Sequence, residues 1–415
     1  MSAQFAFALV TAASGWMIAQ APTPTTPPAL LPPAVTGTPQ PPGVITPVSA
    51  PAIKPAMPAD RFAEIGKFPL ETAQCVYGIR GAADWLAKVH QANGRVLPGV
   101  NPGLASVWDK DSDAKQAMAM LGLCQAARFS GDATVTAKAG QALLTVMAGL
   151  KPDAADPNRL TVMATAAEKA TVAACLVLAA FEIPGADART LAIAEHMAAF
   201  LRTASETDPL ARGLSMRALA ISYKMKPADW KRDAALAAIS TAAGEAKAKP
   251  NAVLSAGLMT AAADLSITMK EPKLAAIVFE QTELLCANQY DRTKARGGFV
   301  WAGAVKLDAA DDTEPTFEMT AVAMGLTAAT QLARSQGDLS RYARYRQAAV
   351  ESLMFVRGLQ ASPETASHFE AGFRARSVVG GVRSAVTDPI LRADATALAL
   401  GCYLRFVESG CENRE

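Results

Sequence analysis

A chain of 415 residues with 51% hydrophobic but only 6% aromatic content can bury one large core or two smaller ones, and alanine supplies much of the apolar count. Forty basic residues stand against 38 acidic ones, so the net charge of +2 offers no strong pull toward polyanions, and nucleic-acid binding is not expected. Runs of Val, Ile, Thr and aromatic residues are scarce, whereas Ala, Leu, Met, Glu, Lys and Gln fill the long segments; propensity and pattern agree on an all-α fold.

In chain order, Phe5 to Ala19 form an apolar stretch broken by Ser14 and Gly15, and Ala19-Gln20-Ala21 follows as a small-residue cleavage site. Residues 1–21 therefore read as a signal peptide, although no Lys or Arg precedes the apolar stretch. The stretch is shorter than the ~20 apolar residues a membrane span needs. Export to the periplasm, the cell envelope or the medium is the expectation. Residues 22–60 are crowded with Pro, Thr, Ala and Val, a composition that stays extended and acts as a spacer, suited to envelope association.

From residue 61 to the C-terminus the apolar pattern beats in helix pairs of about 50–60 residues, which makes six hairpins. The predicted pairs are Pro69–Gln91 with Asp113–Ser130, Asp132–Leu150 with Val162–Phe181, and Ala186–Ser205 with Pro209–Lys224. They continue as Pro227–Lys247 with Val253–Lys270, Glu271–Asn288 with Phe317–Gln336, and Ser340–Leu359 with Asp388–Glu408. Asp, Ser and Pro at the starts and Gly at the ends supply caps and breaks. Ala127-Arg128-Phe129-Ser130-Gly131-Asp132 recurs as Ala333-Arg334-Ser335-Gln336-Gly337-Asp338, so one turn chemistry is used twice. Twelve helices in six hairpins predict an (α/α)6 toroid; a tetratricopeptide solenoid, with its 34-residue period, is too short-paced for these pairs. Five of the six cysteines sit inside apolar helical patterns as small hydrophobes, and only Cys402 and Cys411 invite a test for bridging.

Trp85-Leu86-Ala87-Lys88-Val89-His90-Gln91-Ala92-Asn93-Gly94-Arg95 resembles the helix, Gln, Gly, bulky-residue repeat of the terpenoid cyclase and protein prenyltransferase toroid superfamily. Looser echoes are Cys286-Ala287-Asn288-Gln289 leading to Gly297-Gly298-Phe299, and Gly358-Leu359-Gln360 leading to Gly380-Gly381-Val382. The resemblance implies a helical ring in which each Gln ties a helix end to the next hairpin. Six-hairpin glycosidases, polysaccharide lyases and sugar epimerases are rings that the Gly-Gly loops resemble comparably well. A cyclase would need an Asp-x-Asp-Asp acid, whereas Asp308-Ala309-Ala310-Asp311-Asp312 has one residue too many, and His90, His196 and His368 form no prenyltransferase zinc cluster.

Long loops inside hairpins are read only in the first, fifth and sixth pairs, at residues 92–112, 289–316 and 360–387, and these pairs become neighbours once a ring closes. They carry the candidate residues: Asp109, Asp311, Asp312, His368 and Arg383 for catalysis, and Trp108, Trp301, Arg296 and Arg374 for substrate binding. Carboxylates with Trp around one mouth suit a sugar polymer, because Trp stacks on a sugar face while paired carboxylates exchange protons. Asp109-x-Asp111-x-Asp113 starts like a calcium loop, but Ala114 and Met120 stand where Gly and Glu belong, so these acids read more naturally as helix caps. No metal or cofactor is expected. The leading expectation is a glycan-acting lyase or hydrolase; a non-catalytic envelope module comes second and a squalene-cyclase-like lipid enzyme third. The oligomeric state is not legible.

Overall fold

The computed structural model describes residues 62–153, 160–291, 293, 297–306 and 313–409. The signal peptide, the spacer, Cys411, Arg296, Asp308, Asp311 and Asp312 lie outside them.

Twelve long helices emerge as predicted, with a three-residue helical turn added in the last loop. They are α1 (Leu70–Val89), α2 (Asp113–Ser130), α3 (Ala133–Met147), α4 (Lys169–Glu182), α5 (Ala188–Leu201), α6 (Pro209–Met225) and α7 (Asp229–Ala248). The rest are α8 (Ala252–Met269), α9 (Pro272–Ala287), α10 (Met319–Ser335), α11 (Leu339–Leu359), the short α12 (Ala371–Phe373) and α13 (Ala393–Glu408). The repeated turn works as its residues imply. Gly131 and Gly337 take φ of 63° and 71°, and the Asp after each accepts from the next helix, Val135 N at 2.8 Å and Arg341 N at 3.0 Å.

The even-numbered helices α2, α4, α6, α8 and α10 together with α13 pack each on the next, and α13 returns to α2. That closes an inner ring. The others form an outer layer: α1 packs on α13, α3 on α2, α5 on α4, α7 between α6 and α8, α9 on α8 and α11 on α10. An inner helix has neighbours on every side, so it must be apolar all round. The apolar α4 is buried from Ala170 to Glu182, all but its first residue, and α8, apolar enough to cross a membrane by composition, is a mostly buried wall of this ring. Small residues let the ring close: a Cβ on Gly257 would lie 2.4 Å from Gly213 Cα, and one on Gly122 2.6 Å from Ala397 Cβ.

Every inner helix starts at one rim, where the outer-to-inner connections run, while the inner-to-outer turns at the far end are short. Two expectations need correction here. The second connection is long as well, because α3 stops at Met147 and α4 starts only at Lys169; β-branched Thr161 and Val162 pair instead in an antiparallel hairpin, β3 (Leu150–Pro152) with β4 (Leu160–Val162). The last helix starts at Ala393 rather than Asp388, because Pro389 favours extended backbone before it and Leu391–Arg392 form a strand. That strand, β6, joins β1 (Gly99–Asn101), β2 (Ser106–Trp108) and β5 (Val382–Arg383) in an antiparallel sheet of order β2-β1-β6-β5.

Candidate functional site

The small sheet settles how the rim is built. It welds the first connection to the sixth, and the fifth joins them through the Thr316–Ala385 bridge, Phe317 N donating to Ser384 O at 2.8 Å, and Glu314 accepting from Thr387 N at 2.7 Å. The three loops converge. Glutamines secure the junction: Gln360 Nε2 donates to Gly78 O (3.0 Å) and Gly380 O (2.9 Å), and Gln289 Nε2 to Gly303 O (2.9 Å) and Ala348 O (3.0 Å). At the first loop the tie comes from Gln116, which bonds both backbone groups of Val96.

Trp108 on β2 and Arg392 on β6 both stand opposite Gly99 on β1, so their side chains share one sheet face. Gly99 has no side chain to hold them apart; a Cβ there would lie 2.5 Å from Leu391 O and 3.1 Å from Trp108 Cε3. The Arg392 guanidinium lies 5.3 Å from the Trp108 ring centre and 4.5 Å from that of Phe317, while Lys115 Nζ lies 4.5 Å from Trp108. Asp394, 1% exposed, holds Arg392 through a two-oxygen fork, Nε to Oδ1 at 3.0 Å and Nη2 to Oδ2.

Carboxylates complete the mouth. Half-buried Glu318, just before α10, is held above the usual carboxylate range by burial and by the charge of Asp208, against the pull of Thr316 and Arg392. Asp208 caps α6 by accepting from Ala211 N at 2.7 Å. Burial pushes the Lys115 amine down, opposed by Asp394, Asp111 and Glu168. Lys115, Glu168, Asp208, Glu318, Arg392 and Asp394 thus occupy one electrostatic neighbourhood at the starts of inner helices, with the positive ends of the helix dipoles around it. Below this mouth, among the described residues, lies a cavity of about 30 Å³ lined by residues that include Leu210, Arg217, Val253, Thr320 and Leu398. Among the described residues, no His, Cys, Asp and Glu cluster suits a metal ion.

The sequence-predicted residues are scattered over this rim. Trp108 is central to the mouth, and Asp109 follows it on the exposed side. Arg383 turns away, donating to Val386 O (3.0 Å) and Gly358 O (2.9 Å), and lines a separate groove of about 860 Å³ with Tyr290, Phe299 and Glu351. Trp301 packs on Tyr290, ring centres 5.5 Å apart. Arg374 donates to Ser367 O at 3.3 Å and exposed His368 lies on Phe369, 4.0 Å between ring centres. Pattern reading missed Lys115, Glu168, Asp208 and Glu318, which stand as helix-start residues; their one shared signal is position, at or next to the first turn of an inner helix.

The ring has known counterparts. Unsaturated glucuronyl hydrolase from Streptococcus agalactiae superimposes with a TM-score of 0.58 at 11% identity, over 85% of this chain and 97% of that one. D-mannose isomerase gives 0.57 at 11% (81% and 97%), and a GH76 α-mannanase from Bacteroides thetaiotaomicron 0.54 at 10% (83% and 97%). The shared feature is the fold. No protein-family model and no curated protein matches the sequence. The chain has the α/α-toroid fold that these structures share, and nothing in the comparisons links it to the terpenoid cyclase superfamily.

Proposed function

We propose that this protein is a glycan-acting enzyme of the lyase or hydrolase type whose reaction takes place at the mouth of the ring, with Glu318 as the proton donor. The observation that carries the reading is Glu318 itself. Burial and the charge of Asp208 make the Glu318 carboxyl hold its proton more tightly than a free one, which is the direction a general acid needs. Lys115 adds a cation at the Trp108 ring, which suits a sugar bearing a carboxylate, while Arg392 is already paired with Asp394. The fold neighbours lend support, since glucuronyl hydrolases and a mannanase use the same ring.

The experiment is an activity screen of the full chain against unsaturated glucuronides, uronic-acid polymers and mannans, followed by Glu318→Gln on any substrate turned over. Loss of at least about a hundredfold in kcat is expected, the usual contribution of general acid catalysis. If Glu318→Gln keeps full activity, the assignment fails.

One observation favours a non-catalytic binding module instead. Trp108, the aromatic group at the mouth, is already engaged by Lys115 and Arg392, so it is not an open stacking platform. Glycan binding without turnover in the same screen would select that reading. A lipid cyclase would need a deep apolar chamber, which the 30 Å³ axial cavity with its arginine does not provide. Export stands as a proposal from the N-terminal sequence, and N-terminal sequencing of the mature protein tests cleavage after Ala21.

A further inference from the structure

The axial cavity holds two polar atoms that the rest of the ring leaves unmatched. Arg217 Nε and Thr320 Oγ1 are buried without a hydrogen-bond partner among the described residues, and both side chains line the cavity. Thr320 is 1% exposed. Other buried threonines of the inner ring behave differently: Thr260, Thr327 and Thr330 donate to the carbonyl four residues back, at 2.9, 2.8 and 2.8 Å.

The other arginines at the base of the axis are also accounted for. Arg128 is bonded to Glu182 and Glu408, and Arg405 grips Asp264 through two bonds of 3.1 and 2.9 Å. Those three carboxylates are the anions that Arg217 feels, along with the opposing charge of Arg405. Glu182 and Glu408 are held by Arg128 and Asp264 by Arg405, and Arg217 forms no ion pair among the described residues. Arg217 lies two turns below Leu210 on α6, so its guanidinium stands under the mouth, in a cavity whose walls include apolar Leu214, Val253 and Leu398. Arg217 as a whole is part-buried, and where its buried Nε faces apolar walls, which screen charge poorly, a small counter-ion is favourable.

The volume of about 30 Å³ limits the occupant to something of atomic size, far smaller than a sugar. A water molecule would meet the two orphan atoms without adding charge; a halide meets them and adds a negative charge beside a guanidinium whose nearby carboxylates are engaged by Arg128 and Arg405. We propose that Arg217 and Thr320 hold a small anion, a halide, on the ring axis beneath the mouth. By bridging α6 to α10 it would pin two inner helices across the axis. This site is independent of the glycan reading and stands or falls without any activity measurement.

The test uses the full chain, with chloride as the probe. Thermal unfolding is followed in sodium chloride and in sodium gluconate at matched ionic strength, alongside the ³⁵Cl NMR line width. A saturable rise in the unfolding midpoint and an excess line width, both specific to chloride, are expected. Arg217→Met should abolish both, and Thr320→Val should weaken the apparent affinity about tenfold, as for loss of one hydrogen bond to a charged group. Should Arg217→Met fail to fold, Thr320→Val decides alone. Absence of a saturable chloride effect, which a cavity occupied by water alone would give, overturns the proposal. So does an effect that survives unchanged in the variants.

Discussion

Asp394 shows how one buried residue governs the mouth. Its carboxylate is the anchor for Arg392, and Arg392 in turn fixes the faces of Trp108 and Phe317. Asp394→Ala leaves that guanidinium half-buried without its partner, so a loss of about 3–5 kcal/mol is expected from urea unfolding, as for other buried pairs broken on one side. Arg392→Met with Asp394→Leu should recover much of that loss while removing the guanidinium from the Trp108 and Phe317 rings. Glu318 makes a pH prediction of definite sign. Its carboxyl binds a proton more tightly in the folded chain than in the unfolded one, because burial penalises its charge. Stability therefore falls as pH rises from the ordinary carboxylate pKa of about 4.3 through the raised one, and activity that needs the acid falls on the same side. Glu318→Gln should flatten that part of the stability profile. The sequence contains each of these residues in plain view, yet neither Glu318 nor Lys115 differs in pattern from an ordinary helix-start charge.

At the scale of elements, glutamine and glycine positions make the strongest statements. The resemblance to a Gln-Gly repeat implies ties at helix ends, and two of the three glutamines make them: Gln360 reaches from the end of α11 back to α1, and Gln289 from the end of α9 to α11. Gln91 does not, and Gln116 takes its place at the first loop. Gln360→Ala would leave the buried carbonyls of Gly78 and Gly380 short of a donor, at about 1–3 kcal/mol each, which chemical denaturation of the variant would measure. Gly257→Ala sets a Cβ against Gly213 Cα, and backbone on both sides gives it nowhere to go. A destabilisation of about 1–3 kcal/mol is expected, the range for an overpacked core. Helix boundaries were legible to within a few residues wherever a cap or a Pro marked them, as at Asp113 and Pro209. They were not legible at Val162 and Asp388, because residues 150–152, 160–162 and 391–392 become strands only by pairing with partners distant along the chain or across a loop.

For the whole molecule, ring closure brings the two ends of the described chain together. Arg128 on α2 joins Glu408 on α13 as well as Glu182 on α4, so the first, second and last hairpins share one buried arginine. Arg128→Met should cost about 3–5 kcal/mol and lower the urea midpoint, since it removes the buried guanidinium that two carboxylates share. The amino-acid sequence by itself determined the helical class, the count of six hairpins and the adjacency of the first, fifth and sixth loops, because these follow from local periodicity and from the geometry of any closed ring. Only the tertiary structure decided which charges meet. It brought Trp108 and Arg392 together across Gly99, set Glu318 within the influence of the Asp208 charge and put Arg217 and Thr320 on one cavity, while sending Arg383 to a separate groove. The physical reason is range: helix periodicity acts over a few residues, whereas a burial-shifted carboxyl or an unpaired arginine is made by side chains from helices far apart in the chain.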